Sequence, residues 1–339
     1  MSERPPVSRT LLVSGLIVLL IVPITAVSLL AGEVWLSPAA VWHGLWSPAP
    51  HLAAHLAALI VIQLRLPRAV LALLVGAVLG LSGAVMQGVT RNPLAEPGLL
   101  GVSPGAALGA VIVIYFGVAQ EFAAAAPFAG LAGALIACGL TFALGRGGGS
   151  IALVLAGAAV SGLAAAGIAL ALNLAPNPYA ADEIMSWLLG SLAHHSWADV
   201  MLILPFVVVG TVMLAATARS IDALALGEAQ AQSLGINLQR LHMLTLLGTA
   251  LAVGAVTAVA GAIGFIGLVA PHLVRPLVGH QPSRVLLPAA LLGALLLLCA
   301  DIATRMIHIG PELKVGVFTT LIGTPFFFWL VVRLRKVAP

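Results

Sequence analysis

Residues 66–98 read LPRAVLALLVGAVLGLSGAVMQGVTRNPLAEPG. Positions 66–89 are apolar apart from Arg68, Ser82 and Gln87. At 1.5 Å per residue such a run crosses the roughly 30 Å hydrocarbon core of a bilayer as a helix. The tail from Arg91 to Gly98 then stops that helix, because Pro93, Pro97 and Gly98 forbid a continuous one. A long apolar helix closed by a polar, proline-rich break is the unit from which the fold is read.

The same unit recurs along the chain. Apolar runs punctuated by Gly, Pro and charge predict ten spans, at about 11–31, 66–89, 98–117, 124–145, 150–174, 197–218, 238–258, 261–278, 285–307 and 313–333. The first follows Arg4 and Arg9 and is too long for the apolar core of a signal peptide, so it is read as a helix that stays. Residues 176–192 read as an external loop with a short helix, and 219–237 as a polar internal stretch. The 339 residues are 61% hydrophobic and 8% charged, against roughly a quarter charged in a soluble domain. That excludes a soluble enzyme, a nucleic-acid binder and a disordered scaffold. The apolar runs are also too long and continuous for the alternating strands of a β-barrel. The expectation is an all-α polytopic membrane protein of about ten transmembrane helices, built as one domain over residues 1–339. Cys138 and Cys299 lie in apolar runs and read as small core residues rather than a disulfide. Trp35, Trp42, Trp46, Trp187 and Trp197 fit an interfacial belt.

Charge then orients the spans. With the N-terminus inside, eleven of the 15 basic residues fall at inner ends: Arg4, Arg9, Arg91, Arg146, Arg219, Arg240, Arg275, Arg284, Arg333, Arg335 and Lys336. Only Arg65, Arg68, Arg305 and Lys314 fall outside. The positive-inside rule supports cytoplasmic termini and makes the three outer arginines anomalous. The acidic residues all lie near predicted span ends or in loops, so no proton relay is written here. Asp301, four residues before Arg305, is expected to pair with it.

Several motifs carry competing readings. Gly80-Leu81-Ser82-Gly83 fits the pattern of an intramembrane serine protease, with His242 or His272 as base. Gly76, Gly80 and Gly83 equally describe a seam where helices approach closely, and that is the preferred reading. Gly145-Arg146-Gly147-Gly148-Gly149-Ser150 lacks the lysine of a phosphate loop and reads as an inside turn, leaving the chain no nucleotide site. Five histidines (His51, His55, His194, His195 and His308) fall on the outer side; haem or metal ligation is one reading and interfacial filler the other, and no metal site is assigned. In 219–237, Asp222 can cap a short helix Ala223–Leu226, Gly227 breaks it, Glu228 begins a second helix and Gly235 closes it. Two short helices on the inner face are shaped to enter a groove in a partner. In the 91–98 break, Asn92 and Leu94 can sit at an inner constriction.

Taken together, these segments resemble the FecCD-type permeases of ABC importers for iron-siderophores, haem and vitamin B12. The resemblance rests on Arg65-Leu66-Pro67-Arg68; Ser82 to Gln87; Arg91 to Ser103; Leu226-Gly227-Glu228 with Leu234-Gly235; Gly261 to Leu268 with Pro271-His272; and Leu287-Pro288 with Ala300-Asp301. It implies a type II importer architecture in the bacterial inner membrane and a second permease copy. It also implies two ATPase subunits carrying ATP and magnesium inside, a periplasmic substrate-binding protein outside, and no cofactor in this chain. Arg65, Arg68 and Arg305 match positions that dock the binding protein. Asp222, Ala225, Leu226, Gly227, Glu228, Ala231, Leu234 and Gly235 match the coupling element that seats in the ATPases. Asn92 and Leu94 match a cytoplasmic gate; its companion positions fall around Gly149 and Ser150, which differ from the cobalamin-type pattern. The cargo expected is a ferric siderophore, with haem or cobalamin as alternatives.

Overall fold

The computed structural model describes residues 7–32, 34–46, 52–122, 124–307 and 313–335, with the backbone alone at 7–8, 52–54, 329–331 and 333–335. His51, His308, Arg4, Lys336 and the side chains of Arg333 and Arg335 lie outside the described residues. In chain order the helices are α1 (Val7–Leu30), α2 (Pro38–Trp46), α3 (Leu52–Leu59), a π-helical segment Ile60–Arg65, α4 (Leu66–Thr90), a 3-10 turn Pro97–Leu100 and α5 (Val102–Tyr115). Then come α6 (Val118–Glu121), α7 (Ala125–Gly145), α8 (Gly149–Asn173), α9 (Pro178–Leu188) and α10 (Trp197–Ala216). The chain ends with α11 (Ala218–Leu224), α12 (Glu228–Ser233), α13 (Leu238–Ala260), α14 (Ile266–Val278), α15 (Pro282–Met306) and α16 (Val315–Arg335). Each span expected from the sequence overlaps one of these helices. Among the described residues seven helices are long and apolar enough to cross a membrane; α5, α14 and the described part of α16 are shorter apolar helices.

α4 and α13 form the enclosed centre, while α1 and α8 lie at the rim. The large exposed residues of α1, such as Leu11, Leu12, Leu16 and Leu19, suit lipid rather than water. α4 lies against α15 and α14 along a glycine seam. A Cβ at Gly76 would overlap the Gly293 carbonyl, and one at Gly83 would overlap the backbone of Gly267. Lipid offers no hydrophobic drive between helices, so this backbone proximity supplies the dispersion contact that holds them. Cys138 is buried, whereas Cys299 is exposed on α15 rather than in the core.

Two boundaries differ from the sequence expectation, each for a local reason. Pro67 and the flanking arginines read as the start of the second span, yet helix runs on from Leu52 to Thr90 through the π-helical turns. The widened turn accommodates Pro67: the Leu66 amide donates to Val61, one residue further back than in an α-helix. Pro67 has no N–H for the next carbonyl, that of Ile62, and the Trp197 indole Nε1 donates to it instead at 2.9 Å. In the eighth span, residues 261–265 are not helical. Phe265 holds φ +67°, uncommon for a non-glycine residue, and α14 starts only at Ile266.

α15 sets the long dimension. Ser283 near its start and Arg305 near its end are separated by about 33 Å at 1.5 Å per residue. The candidate sites gather at these two ends.

Candidate functional sites at the two ends of the bundle

At the Arg305 end the three anomalous arginines come together around one carboxylate. Asp301 is fully buried. Its Oδ1 accepts from Arg68 Nε at 2.8 Å, and its Oδ2 lies 2.8 Å from an Arg305 guanidinium nitrogen. The i,i+4 pairing with Arg305 follows the helical spacing; the Arg68 bond joins α4 to α15 and has no local signal. Arg305 also donates to the carbonyls of Ser28 and Ala31, at 2.9 and 3.0 Å, and to Ser28 Oγ at 2.6 Å. Arg65 donates to the carbonyls of Leu29 and Leu30, at 2.8 and 2.7 Å, and to that of Val34 at 2.6 Å. The last carbonyls of a helix have no intrahelical donor. Here two guanidiniums close the end of α1, where a cation is also favoured by the helix dipole.

Three guanidiniums against one carboxylate leave this cluster with an excess of positive charge, although Asp182, Glu183 and Asp199 lie at the same end. A cavity of about 520 Å³ opens on it, lined by Arg65, Arg68, Arg305, His194, His195 and Thr304 among others. His195 Nδ1 lies 3.6 Å from Asp199. Among the described residues no group of three or more His, Cys, Asp and Glu side chains is placed to hold a metal ion.

At the opposite end the polar stretch forms two short helices, with a change of register from the expectation. α11 runs Ala218–Leu224, and Asp222 lies inside it rather than capping a helix over 223–226. The helix starts early because α10 runs almost directly into it through Thr217. The Asp222 carboxylate caps a different helix: it accepts from the Ser283 amide at 2.8 Å, Ser283 Oγ at 2.6 Å and Gln281 Nε2 at 2.6 Å, at the start of α15. Gly227, at φ +114°, breaks the chain as expected. Gly235, at φ +83°, closes α12: its amide bonds Gln232 and the Ile236 amide bonds Ala231, a Schellman end.

The element has two faces. Ile221, Leu224 and Ala231 are buried. Leu226 and Leu234 stand out, 65% and 63% exposed, with Ala225 and Gly235 exposed beside them. Glu228 is turned inward. Its Oε1 accepts from the Ser150 amide at 3.1 Å and from Ser150 Oγ at 2.8 Å. These two bonds hold the Glu228 carboxyl below the usual carboxylate range, with burial opposing them and the Arg91 charge adding to them.

Ser150 links this element to the 91–98 break. It lies in the first turn of α8 and is buried, and its hydroxyl also faces the Val89 carbonyl near the end of α4 at 3.1 Å. One residue past α4, Arg91 takes a left-handed conformation (φ +51°), and Asn92 Oδ1 then accepts from the Leu94 amide at 2.9 Å. Asn92 is exposed and Leu94 half-buried. Gly149 sits against the Glu228 carboxylate at φ +68°. Gly149 and Ser150 thus share one corner with the coupling candidate Glu228, and Ser150 reaches the end of α4 that leads into Asn92 and Leu94. Sequence reasoning missed Glu96, whose carboxyl lies close to the Phe265 backbone, where the two irregular segments meet. Pro97, next to it, packs near Gly267 and so lies well inside the bundle.

Ser82 offers no nucleophile. It is fully buried, and its hydroxyl donates back into its own helix, to Val78 at 2.7 Å with Leu79 at 3.1 Å. Of the candidate bases, His272 stands edge-on to Phe326, and His242 lines a small void with Ser150 and Met86.

Comparison with known proteins accords with this arrangement. The model of the FecCD transport family matches residues 17–333. The hemin transport system permease protein HmuU of Yersinia pestis is 40% identical over 284 residues, covering 81% of this chain and 84% of that protein. The vitamin B12 import system permease protein BtuC of Salmonella paratyphi A is 39% identical over 330 residues, covering 97% and 96%. Among solved structures, an inward-facing ABC transporter of metal-chelate type superposes with a TM-score of 0.81 at 29% identity, covering 95% of this chain and 99% of that one.

Proposed function

This chain belongs to the FecCD transport family and is an integral membrane permease of an ABC importer, and we propose that it carries an iron chelate across the bacterial inner membrane as one half of a homodimer. A ferric siderophore is the foremost cargo, with haem and vitamin B12 the alternatives. What supports a chelate is that two relatives of nearly equal identity are named for hemin and for vitamin B12, and the structural neighbour for metal chelates. Both termini face the cytoplasm in this reading, which the charge asymmetry supports. The work comes from ATP and magnesium on two partner ATPases.

The observation that carries the proposal is the two-faced element of α11 and α12. Its apolar knobs, Leu226 and Leu234, project outward, while its two acids grip the first turns of α8 and α15. A partner that seats on the knobs and shifts moves both helices. The gate is the corner of Asn92, Leu94, Gly149 and Ser150. At the other end the surplus positive charge of Arg65, Arg68 and Arg305 suits carboxylates of a periplasmic binding protein. Because Arg65 and Arg305 also close α1, Arg68 is the variant of choice there.

Two experiments test the reading. Leu226→Asp with Leu234→Asp should abolish co-purification of the ATPase while the permease still reaches the membrane; retained co-purification refutes the coupling surface. Arg68→Gln should slow association of the binding protein and flatten its dependence on salt, since rim charge acts mainly on encounter. An unchanged rate and slope remove the docking assignment.

A further inference from the structure

Ser150 has one hydroxyl proton and two acceptors within reach, Glu228 Oε1 at 2.8 Å and the Val89 carbonyl at 3.1 Å. Its amide also donates to Glu228. The amides in the first turn of a helix have no intrahelical acceptor, so a carboxylate placed there is a charge-assisted cap. It is an unusual cap, because it comes from 78 residues away on α12 rather than from the chain preceding α8. Glycine prepares the seat. The chain turns through Gly147 and Gly149, both at positive φ, and a side chain at 149 would collide with the Glu228 carboxylate.

We propose that Glu228 and Ser150 form the joint that transmits motion from the coupling element to the gate, with Glu228 as a positioning residue. The proposal rests on the importer reading and names the path within it. α12 is short and anchored by the buried Ala231, so it moves as a piece. Displacing it pulls on the first turn of α8 through two hydrogen bonds to one carboxylate oxygen. The Ser150 hydroxyl can keep its proton on Glu228 or pass the bond to Val89, which gives two discrete arrangements rather than a continuous strain. Val89 stands one turn before Asn92 and Leu94, so the second arrangement fastens α8 to the end of α4 that carries the gate. Asp222 makes the parallel attachment to α15, but no gate candidate lies beside it. Glu228 therefore has a role distinct from anchoring. It also accounts for an acid turned away from the surface that a partner would touch.

The test reads the gate directly and needs no cargo. Leu94→Cys, with Cys138→Ala and Cys299→Ala, is placed in the full transporter with its ATPase and lipid. Maleimide labelling of the introduced thiol is timed without nucleotide and with ATP plus vanadate. The wild-type joint should give a nucleotide-dependent change in labelling rate of about fivefold or more, the usual scale of coupling between sites. Glu228→Ala should abolish that change while the ATPase still co-purifies. Glu228→Gln keeps an oxygen that can accept from Ser150 and should restore part of it, a rescue that a merely stabilising side chain would not show selectively. Ser150→Ala should reduce the change, and adding it to Glu228→Ala should cost nothing more, because both act through one link. A wild-type change that persists in Glu228→Ala and Ser150→Ala overturns the joint and leaves the gate standing. No change in the wild type overturns the gate and the joint together. ATP-dependent uptake by the same wild-type preparation, probed with haemin, cyanocobalamin and a ferric hydroxamate, judges the importer reading separately.

Discussion

Replacing Asp301 by Asn removes one charge from a place where two guanidiniums depend on it. The residue is 0% exposed and meets Arg68 and Arg305 at 2.8 Å each. Removing one partner of a buried ion pair costs about 3–5 kcal/mol, chiefly because the remaining charge stays buried and uncompensated. Two features place this variant near the lower end. Asn can still accept a hydrogen bond from Arg68, and Arg305 keeps its bonds to Ser28 and Ala31. At about 3 kcal/mol and about 2 °C per kcal/mol, the transition in detergent should fall by roughly 6 °C. Thermal unfolding of the purified permease, followed by aggregation-resistant fraction and by tryptophan emission, measures it. Asp301→Leu combined with Arg68→Met still leaves the buried Arg305 guanidinium without its carboxylate and should not recover the loss, since exchange for apolar groups is nearly neutral only when no buried charge is left unpaired. An unchanged transition for Asp301→Asn, or full recovery in that double variant, refutes the view that this carboxylate neutralises both guanidiniums.

Gly83→Ala should lower the folded yield and cost about 1–3 kcal/mol or more, because its methyl meets the backbone of Gly267 rather than a side chain that can swing away; size-exclusion profiles and Tm report it. Arg65→Ala should remove a donor from the Leu29, Leu30 and Val34 carbonyls, of which Leu30 keeps the Leu36 amide, and amide exchange around the end of α1 should speed up while that of α13 does not. The Glu228 carboxyl is held below the usual range in the folded protein, so its contribution is complete at neutral pH and is lost as pH falls through that lowered value. Exchange of the Ser150 amide should accordingly rise in acid in the wild type and be indifferent to pH over that window, after correction for intrinsic rates, in Glu228→Gln.

The order and approximate places of the apolar spans were legible because lipid imposes length and apolarity on each, and both show in composition; the short helices α2, α3 and α6 between them were not. The glycine seam of Gly76, Gly80 and Gly83 was legible for the same reason: small residues at helical spacing mean close backbones. The early start of the second span was not, because Pro67 in isolation marks a break. Only the π-helical turns and a distant Trp197 indole make it tolerable, and neither leaves a local trace. The outer arginines stood out against the topology, yet their partners did not. Arg305 and Asp301 are one turn apart and could be paired by spacing; Arg68 reaches Asp301 across 233 positions, and Arg65 is spent on backbone carbonyls, which every residue has. The polar stretch at 219–237 was read correctly as two short helices. Its acids were assigned to their own helix ends, whereas Asp222 caps α15 and Glu228 caps α8. Long-range capping of this kind cannot be seen without tertiary structure.

Proteoliposomes containing this permease, its ATPase and its binding protein, loaded with ATP and magnesium, should accumulate at least one of haemin, cyanocobalamin and a ferric hydroxamate. Accumulation should stop when the ATPase is trapped with vanadate and when Leu226 and Leu234 are both replaced by Asp. Accumulation that continues without ATP, or that survives loss of the ATPase contact, would contradict an importer driven through the α11–α12 element.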